Sequence, residues 1–277
     1  MGMAKVGDIA SIKEEFRNTK GLQLMPGADY ESLAASAQWA FEDVVVEELQ
    51  DVLQNDVTAP VDAIAIAGGC ALNVGANTEI SRRLQLLVTI PAAPSDCGIG
   101  VGALFLLRKP FLETPKRLMF AGPPLFDVGD VPGLALSKNA EVFADDTVLA
   151  DRVAGLIAEG RIIGVARGRA EHGPRALGHR SLLADATLLE SRNRLNRLKY
   201  REDWRPVAPI VAARAAPGLF FHGEQWDSPH MSAAPRFHVA GCKALPAVCH
   251  VDGTARLQSL EPDGEPFIYA ILEAVER

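Results

Sequence analysis

The spacing of apolar residues along the chain alternates between two periods. Apolar positions at helical intervals, in places preceded by glycines, predict helices within residues 29–54, 68–84, 95–108, 145–160, 190–200 and 265–277. Short apolar runs predict strands at residues 62–67, 86–90, 161–168 and 207–213, and a β-rich segment around a turn at residues 246–260. We expect the strand at residues 62–67 to be buried. Alternating helices and strands indicate an α/β fold.

Between the third and fourth predicted helices, prolines and glycines are frequent and no period is sustained. We interpret residues 116–144 as a linker between two domains, residues 1–115 and residues 145–277. A chain of 277 residues is long enough for two domains with cores of their own. The fourth helix has aspartates that suit its N-terminal end, beginning with Asp145, and Gly160 suits its stop.

Composition narrows the class of protein. Hydrophobic residues make up 48% of the chain and aromatic residues 6%, a balance typical of a cytoplasmic α/β protein. No signal-peptide core is visible, and no stretch reaches the roughly 18 apolar residues that a membrane span needs. We therefore expect a soluble, cytoplasmic protein with no membrane partner. The spacing of Cys70, Cys97, Cys242 and Cys249 matches no zinc or redox motif, so we expect buried, structural thiols.

Charge is distributed unevenly. The formal net charge is -7, yet residues 161–205 contain 11 Lys or Arg and only 5 Asp or Glu. A protein that binds nucleic acid normally spreads its positive charge along a face, whereas here the rest of the chain is acidic. The pattern favours a compact pocket for a small anion, with phosphate first among the candidates, and no nucleic-acid partner.

The most basic stretch, "RGRAEHGPRALGHRSLLADA" at residues 167–186, is rich in glycine. Its glycines and proline prevent one regular helix, so its arginines converge or fan out from a loop. Guanidinium groups match phosphate oxygens in bidentate pairs. The alternative is a solvated face with salt bridges. That alternative is strong for the helix carrying Arg192, Arg194 and Arg197, and weaker for Arg175 and Arg180.

Two further stretches leave alternatives open. In "AGGCALNVGAN", Gly68 and Gly69 follow a predicted strand, where they allow either a ligand to approach the backbone or a tight turn into a helix; the turn is the more common use. Asn73 slightly favours the ligand. In "PSDCGIGVGALF", Asp96 is either a helix cap, as Ser95 also could be, or a metal ligand. One carboxylate cannot hold a metal alone, so the spacing favours the cap.

Six motifs in one order carry a family resemblance: "AGGCALNVGANTEI", "PAAPSDCGIGVGALF", "ARGRAEHGPRALGHRSLLADA", "NRLNRLKYREDWRPVAPIV", "SPHM" and "HVDGTARLQSL". Together they resemble the O-carbamoyltransferase family of nodulation-factor and antibiotic tailoring. The resemblance implies that residues 1–115 form the second half of a Kae1-like domain, of the actin and sugar-kinase superfold. It implies a YrdC-like α/β domain for residues 145–277.

The resemblance also implies chemistry. The YrdC-like domain of the family makes carbamoyl adenylate from ATP and carbamoyl phosphate, and the Kae1-like domain uses a metal to move the carbamoyl group to a hydroxyl acceptor. Carried over to this chain, the implied catalytic residues are Arg175, Arg180, Lys199, Arg205 and His250. The implied residues that bind nucleotide and carbamoyl phosphate are Gly68, Gly69, Asn73, Arg167, Arg169, His172, Gly173, Pro174, Ser181, Arg201, Asp252, Thr254 and Arg256. Asp96 becomes a metal ligand rather than a cap.

The chain also departs from the family pattern. Members are about twice as long, and an N-terminal half supplies a histidine pair to the metal, whereas all 6 histidines here follow residue 170. Members continue past the "HVDGTAR" region to further motifs. We therefore expect a partner chain that supplies the histidines and the missing half-domain, and a shared divalent metal, Fe²⁺, Mn²⁺ or Mg²⁺. The alternatives are a non-catalytic nucleotide-binding partner that regulates or scaffolds a full-length enzyme, and an unrelated nucleotide-binding module.

Overall fold

A computed structural model describes residues 30–107, 118–126, 133 and 140–277. Helices and short strands alternate along these residues, which confirms the α/β class. The helices are α1 Tyr30–Asn55, α2 Val74–Leu84, α3 Ile99–Leu107, α4 Asp146–Ala158, α5 Leu189–Leu198, α6 Ala216–Leu219, α7 Val239–Ala244 and α8 Pro266–Glu276. The strands are β1 Ala63–Ala65, β2 Leu87–Thr89, β3 Ile163–Ala166, β4 Arg180–Leu183, β5 Ile210–Ala212 and β6 Gln258–Leu260. None of the described helices is long and apolar enough to cross a membrane.

Three two-stranded sheets join these strands. β1 pairs with β2 in parallel, β3 with β4 antiparallel, and β5 with β6 in parallel. The first sheet follows the βαβ rule, because α2 lies between its parallel strands in the chain. The antiparallel pair is different, because β3 and β4 are joined by residues 167–179, which we call the glycine-rich loop. The pairing of the two strands holds both ends of this loop.

In the N-terminal part, residues 30–107, helices cover only one face of the β1–β2 sheet. Helix α1 packs on α2, and α2 packs on β2. The burial of β1 alternates, with Ile64 partly buried and Ala63 and Ala65 exposed. Our prediction of a buried strand was therefore wrong in this respect: the described residues provide one helical layer and leave the other face of the sheet in solvent.

Helix α3 is apolar on all sides yet largely exposed. The exposed fractions of Leu104, Leu106 and Leu107 are 61%, 86% and 81%. Parallel sheets and apolar helices of α/β proteins normally have covering layers on both sides. The bare face of β1 and β2 and the sides of α3 are therefore apolar surfaces without a partner among the described residues.

The C-terminal part has a continuous core around α4 and α8, which pack on each other and on the third sheet and the β3–β4 pair. The Asp145 side chain caps α4 by accepting a hydrogen bond of 2.6 Å from Thr147 N. Gly160 follows the helix with φ 76°, in the left-handed region. Both predicted ends of this helix are confirmed. In the core, Ile157, Phe267 and Ile268 are buried.

A second cluster forms around the stacked rings of Phe220 and Phe237. Next to it, a disulfide joins Cys242 in α7 to Cys249, with Cα atoms 5.3 Å apart. Cys70 and Cys97 are free and exposed. Our expectation of four buried thiols was therefore wrong. Spacing alone did not indicate the pairing, because the two bonded residues meet only when α7 folds back on the segment that follows it.

Part of the predicted linker is hydrogen-bonded to the glycine-rich loop. Leu125 N donates to Gly168 O, Ala170 N donates to Pro123 O, and His172 N donates to Met119 O. A Cβ on Gly122 would lie 2.6 Å from Ala170 O, so glycine is required for this close approach. The rest of the predicted linker, apart from Gly133 and residues 118–126 and 140–144, lies outside the described residues.

The N-terminal and C-terminal parts are joined by buried and partly buried hydrogen bonds. Asn77 Nδ2 donates to Ser232 O at 2.9 Å, and Ala234 N donates to Thr78 Oγ1 at 2.7 Å. His230 Nδ1 lies 2.9 Å from Ile90 O. These contacts bring the loop regions of both parts to one cleft.

Candidate anion-binding site

The first element of the site is the loop that begins at Glu171 and ends at Arg180. Glu171 is buried, and its Oε1 accepts hydrogen bonds from Leu177 N, His179 N and Arg180 N at 2.8, 3.0 and 3.1 Å. Its Oε2 accepts from Arg180 Nε at 3.0 Å. One carboxylate thus holds together the two ends of the loop, and Arg175 lies between them.

The charge of Glu171 is stable despite its burial. Burial acts to raise the pKa of this carboxyl, but the backbone donors of Leu177 and Arg180 and the guanidinium of Arg180 outweigh it and lower the pKa to about 2. The carboxylate therefore neutralises Arg180 and stays ionised at neutral pH. Gly178 N donates to Ser181 Oγ at 3.0 Å, so Ser181, a predicted ligand residue, also holds the end of this loop.

The second element is the turn after α5, which carries Lys199 and Arg201. Asn196 is fully buried and organises this turn: its Nδ2 donates to Asp203 O and Arg205 O, and its Oδ1 accepts from Arg201 Nε at 2.6 Å. The guanidinium of Arg201 is therefore fixed by a neutral partner and keeps its positive charge available. Lys199 follows the last turn of α5 and is exposed.

The third element is the tight turn from His250 to Arg256. His250 N donates to Thr254 O at 2.8 Å, and Thr254 N donates to Asp252 Oδ1 at 2.9 Å. Thr254 Oγ1 donates to the same carboxylate oxygen at 2.8 Å and lies 3.0 Å from His250 Nδ1. Because the single hydroxyl proton of Thr254 goes to Asp252, the imidazole is the donor in that last contact. His250 Nε2 is then the acceptor nitrogen of a neutral ring.

These elements bring five of the predicted residues together: Arg175, Lys199, Arg201, His250 and Arg256. Burial, together with the charges of Arg175 and Arg201, lowers the pKa of Arg256 to about 10. Desolvation, with Arg201 and Arg256, lowers the pKa of Lys199. Burial alone lowers the pKa of Arg175. Each of these shifts records a cation that is partly removed from water or placed near other cations.

The cations of the cluster form no ion pair with a carboxylate among the described residues, although the charge of Glu202, which pairs with Arg205, also acts on Arg201. Among the described residues, no carboxylate lies within 4.0 Å of the cationic groups of Arg175, Lys199, Arg201 or Arg256. Asp252 is the acid of the third element, and it is engaged by Thr254. Burial acts to raise the pKa of Asp252, but the Thr254 donors, His250 and Arg236 outweigh it, so the pKa is lowered.

Two buried nitrogen atoms of the cluster have no hydrogen-bond partner among the described residues, His250 Nε2 and Arg256 Nε. A buried polar atom without a partner costs about 1–3 kcal/mol, so a water, an ion or a bound ligand that accepts from or donates to these two nitrogens would stabilise the cluster. Burial is also the main reason that the pKa of His250 is lowered, with Arg256 adding to it and Asp252 opposing it. Convergent cations with unpartnered buried nitrogens are suited to a polyphosphate.

Other predicted arginines are engaged by local partners, although Arg205 is near enough to Arg201 to help lower the pKa of that residue. Arg167 pairs with Asp146 at 2.8 Å and lies over the ring of Phe267 at 4.2 Å. Arg205 pairs with Glu202 at 2.5 Å. Arg169 is exposed, and its guanidinium has a long contact with Ala121 O at 3.5 Å. Their charges are directed to local partners or to solvent.

The remaining predicted residues of the loop have different surroundings. His172 Nε2 is buried without a partner among the described residues. Pro174 is exposed, and Gly173 has φ 133° with its Cα turned to the N-terminal part. A Cβ on Gly173 would lie 2.2 Å from Ala92 O. The loop therefore lies directly against the segment after β2.

The predicted residues of the N-terminal part lie on two turns. Gly68 has φ 100° and donates its N–H to Pro94 O at 2.6 Å, and both Gly68 and Gly69 are exposed with open space at the Cβ position. Asn73 caps α2 by accepting from Ala76 N at 3.1 Å, and it exchanges hydrogen bonds with Gln38. The long contact of Arg175 Nη2 with Leu72 O, 3.5 Å, connects this turn to the cationic cluster.

Asp96 begins the short 3-10 turn before α3 and is exposed. Ser95 is the cap residue of that turn, and no side-chain cap bond is made. Within the described ranges, no group of three or more His, Cys, Asp or Glu residues could hold a metal ion. Asp96 therefore offers one oxygen ligand and no complete metal site.

Sequence reasoning missed two residues that build the site, Glu171 and Asn196. Both lay inside stretches that we had interpreted through their arginines. An acidic or amide residue flanked by cations could have indicated them, because a loop of like charges needs a partner that holds it together.

Comparison with known proteins identifies both parts of the chain. The family model described as Carbamoyltransferase N-terminus matches residues 7–105, and the model described as Carbamoyltransferase C-terminus matches residues 154–277. The first match includes Gly68, Asn73 and Asp96. The second includes the three elements of the cationic cluster.

Individual relatives are similar over most of this chain. Nodulation protein U of Sinorhizobium fredii (strain NBRC 101917 / NGR234) is 32% identical over 268 residues, which is 95% of this chain and 46% of the relative. The 3'-hydroxymethylcephem-O-carbamoyltransferase of Streptomyces clavuligerus is 35% identical over 213 residues, 75% of this chain and 38% of the relative. The chain thus spans about half the length, or less, of the curated relatives that it matches.

Proposed function

This chain belongs to the carbamoyltransferase family, and on that premise we propose that it is part of an O-carbamoyltransferase for a small-molecule hydroxyl. In this proposal the cationic cluster binds ATP and carbamoyl phosphate. With one water, they yield carbamoyl adenylate, pyrophosphate and phosphate. The acceptor hydroxyl then takes the carbamoyl group and AMP leaves. The printed name of one similar protein, a 3'-hydroxymethylcephem-O-carbamoyltransferase, supports a natural product as the acceptor.

The observation that carries the proposal is the uncompensated charge of the cluster. Arg175, Lys199, Arg201 and Arg256 come from three separate segments, and no described carboxylate lies within 4.0 Å of their cationic groups; Glu202 acts on Arg201 from farther away and is itself paired with Arg205. Assembling like charges costs free energy, so an anion with several charges is the ligand that restores the balance. Arginine forks would also stabilise the charge that moves to pyrophosphate as the α-phosphate is attacked.

The unpartnered nitrogen of His250 supports a role beside the phosphates. A neutral Nε2 can take up a proton and then donate it, or a hydrogen bond, to a phosphate oxygen. The Thr254 and Asp252 contacts orient the ring from its other nitrogen. We assign His250, Arg175 and Lys199 to the adenylating step and Arg201, Thr254 and Arg256 to ligand binding.

We propose the finer domain assignment on the same basis. Residues 145–277 would be the YrdC-like domain, and residues 1–115 would be part of a Kae1-like domain, joined by residues 116–144. The α/β elements and the parallel pairing of β1 with β2 are compatible with it. We propose a cytoplasmic location because ATP is supplied there.

A partner polypeptide is the second part of the proposal. Relatives are about twice as long as the matched region, and the bare apolar face of β1 and β2 and the exposed leucines of α3 would be covered by the additional half-domain. The described residues do not fit a metal by themselves, so Asp96 would contribute one ligand to an Fe²⁺, Mn²⁺ or Mg²⁺ ion whose other ligands come from that partner. No step of the adenylation depends on this ion.

One observation favours a second candidate, a non-catalytic partner that binds nucleotide and regulates a full-length enzyme. Asp96 is exposed and has no second ligand among the described residues. A chain of this kind would bind ATP in the cationic cluster and would release neither pyrophosphate nor phosphate.

The deciding experiment mixes the purified chain with ATP and carbamoyl phosphate and measures pyrophosphate and phosphate. Our proposal expects release of both, dependent on both substrates, above the rate without protein. Arg256→Met should abolish it, whereas Arg161→Met, which changes an exposed arginine paired with Glu159, should not. ATP binding without release would support the regulatory candidate, and no ATP binding would contradict both.

A further inference from the structure

Glu171 is the only buried carboxylate of the Glu171–Arg180 loop, and it touches none of the cations of the cluster. Its side chain has no exposed surface, whereas that of Arg180 is 51% exposed. Four donors converge on its two oxygens, three from backbone and one from Arg180. A residue in this position cannot contact a ligand.

The loop from Glu171 to Arg180 brings one cation, Arg175, close to another, Arg256, and the two like charges repel each other. Arg175, at its middle, lies near enough to Arg256 to help lower the pKa of that residue. The repulsion between them would drive the loop outward. The described residues offer Arg175 only a long contact with Leu72 O, at 3.5 Å, which is weak at that distance.

Two features hold the loop against that repulsion. The Glu171 carboxylate ties both ends together, and Arg180 Nη2 adds a bond of 3.3 Å to Glu171 O. On the opposite side, Gly173 lies directly on Ala92 O, which prevents movement in that direction. The position of Arg175 is therefore determined by residues on both sides of it in the chain, and Glu171 supplies most of the bonds.

We propose that Glu171 is a positioning residue for the anion: it holds Arg175 at the distance from Arg256 at which both guanidinium groups reach one polyphosphate. This inference rests on the proposed function. Glu171 acts through Arg175, so its contribution to affinity vanishes when Arg175 is absent. A purely structural carboxylate would weaken binding by the same factor whether Arg175 is present or not.

The test is a double-mutant cycle on the binding of ATP and of inorganic pyrophosphate, measured by calorimetry on the full chain. The variants are Glu171→Gln, Arg175→Met and the double variant. We expect each single change to weaken binding about tenfold or more, and the double variant to bind about as weakly as Arg175→Met alone. Glu265→Gln, in another buried carboxylate that pairs with Arg167 and His179, is the matched control. Its factor should be equal with and without Arg175.

The outcomes separate the two ideas. Multiplicative effects of Glu171→Gln and Arg175→Met would overturn the positioning role while leaving the anion site intact. A wild-type chain that binds neither ligand would contradict the proposed function itself, and the positioning role with it. If Glu171→Gln fails to fold, Glu171→Asp serves instead, because it keeps the charge but withdraws the oxygens from Leu177, His179 and Arg180. The same result is expected: Glu171→Asp weakens binding when Arg175 is present and has no further effect when Arg175 is replaced.

Discussion

Arg175 and Arg256 belong to one cluster of cations in which neither has a carboxylate partner within 4.0 Å among the described residues, and Arg175 helps to lower the pKa of Arg256 to about 10. The two residues are 81 positions apart in the chain. Such an arrangement is unfavourable in the free protein and favourable only with an anion between the two guanidinium groups.

Replacing Arg256 with Met should weaken ATP binding without lowering the stability of the fold. We expect ATP affinity to fall about tenfold to a hundredfold, because a charge-assisted hydrogen bond is lost. The free energy of unfolding should stay the same or rise, since burial and two neighbouring cations are relieved. Titration calorimetry and urea unfolding measure the two effects. An equal loss of both would indicate that Arg256 is a structural residue.

The pH dependence of ATP binding should show that the His250 imidazole takes up a proton when the ligand binds. Burial lowers the pKa of its imidazole, so the free folded protein holds a neutral ring, and a bound polyphosphate would favour the protonated one. Affinity should therefore rise as the pH falls from 7.5 to 6, with proton uptake that appears as a buffer-dependent binding enthalpy. His250→Gln should remove the uptake. An unchanged uptake in that variant would point to another group.

The same lowered pKa has a consequence for stability without ligand. The unfolded chain binds the proton of His250 near its ordinary pKa of 6.5, and the folded chain binds it only at lower pH. The contribution of this residue to stability is therefore complete above pH 6.5 and is lost as the pH falls below it. Denaturant unfolding of the wild type and of His250→Gln at pH 7.5 and 5.5 would show the difference.

Gly173→Ala should open the contact between the two parts of the chain. Gly173 has φ 133°, and a Cβ there would lie 2.2 Å from Ala92 O, so we expect a loss of about 2 kcal/mol or more in the free energy of unfolding. Gly155→Ala in helix α4 is the control, because nothing lies within 4 Å of its Cβ position. It should stabilise by about 0.5–1 kcal/mol. Equal stability of both variants would contradict the close approach.

The Cys242–Cys249 disulfide should contribute to stability. It closes a short ring with a sequence separation of 7, for which a loss of about 2–3 kcal/mol on reduction is expected. Unfolding with and without dithiothreitol measures it, and the double variant Cys242→Ser, Cys249→Ser should no longer respond to the reductant. Cys70→Ser, which changes an exposed free thiol, should leave the response intact. A wild type that is insensitive to reduction would show that the bond is absent in solution.

Helices and their ends could be predicted from the sequence where the determining contacts are local. The Asp145 cap and the Gly160 stop of α4 depend on residues within one turn, and both are confirmed. The strand β4 was missed because we interpreted residues 167–186 as loop from their glycines. Arg180–Leu183 becomes a strand only by pairing with Ile163–Ala166, and that pairing is a tertiary contact.

The positive charge of the candidate site could be predicted from the sequence, whereas the residues that hold its loops in place could not. An excess of arginine indicated an anion, and the structure gathers Arg175, Lys199, Arg201 and Arg256 from three segments. Which arginines are already neutralised depends on partners distant in the chain or hidden among basic residues, as with Glu171 for Arg180. Helix α7 was missed for a similar reason: six residues carry too little periodicity to identify a helix.

The hydrogen bonds that Asn77 donates to Ser232 O and that Thr78 accepts from Ala234 N run between the two stretches that match separate family models. The two family models match residues 7–105 and 154–277, but the interval between them is not a point at which the chain can be cut into two independent parts. Expressing either stretch by itself would expose the buried amide of Asn77 to water and would remove the bond that the partly buried hydroxyl of Thr78 accepts. Any dissection of this protein should exchange single side chains and keep the polypeptide whole.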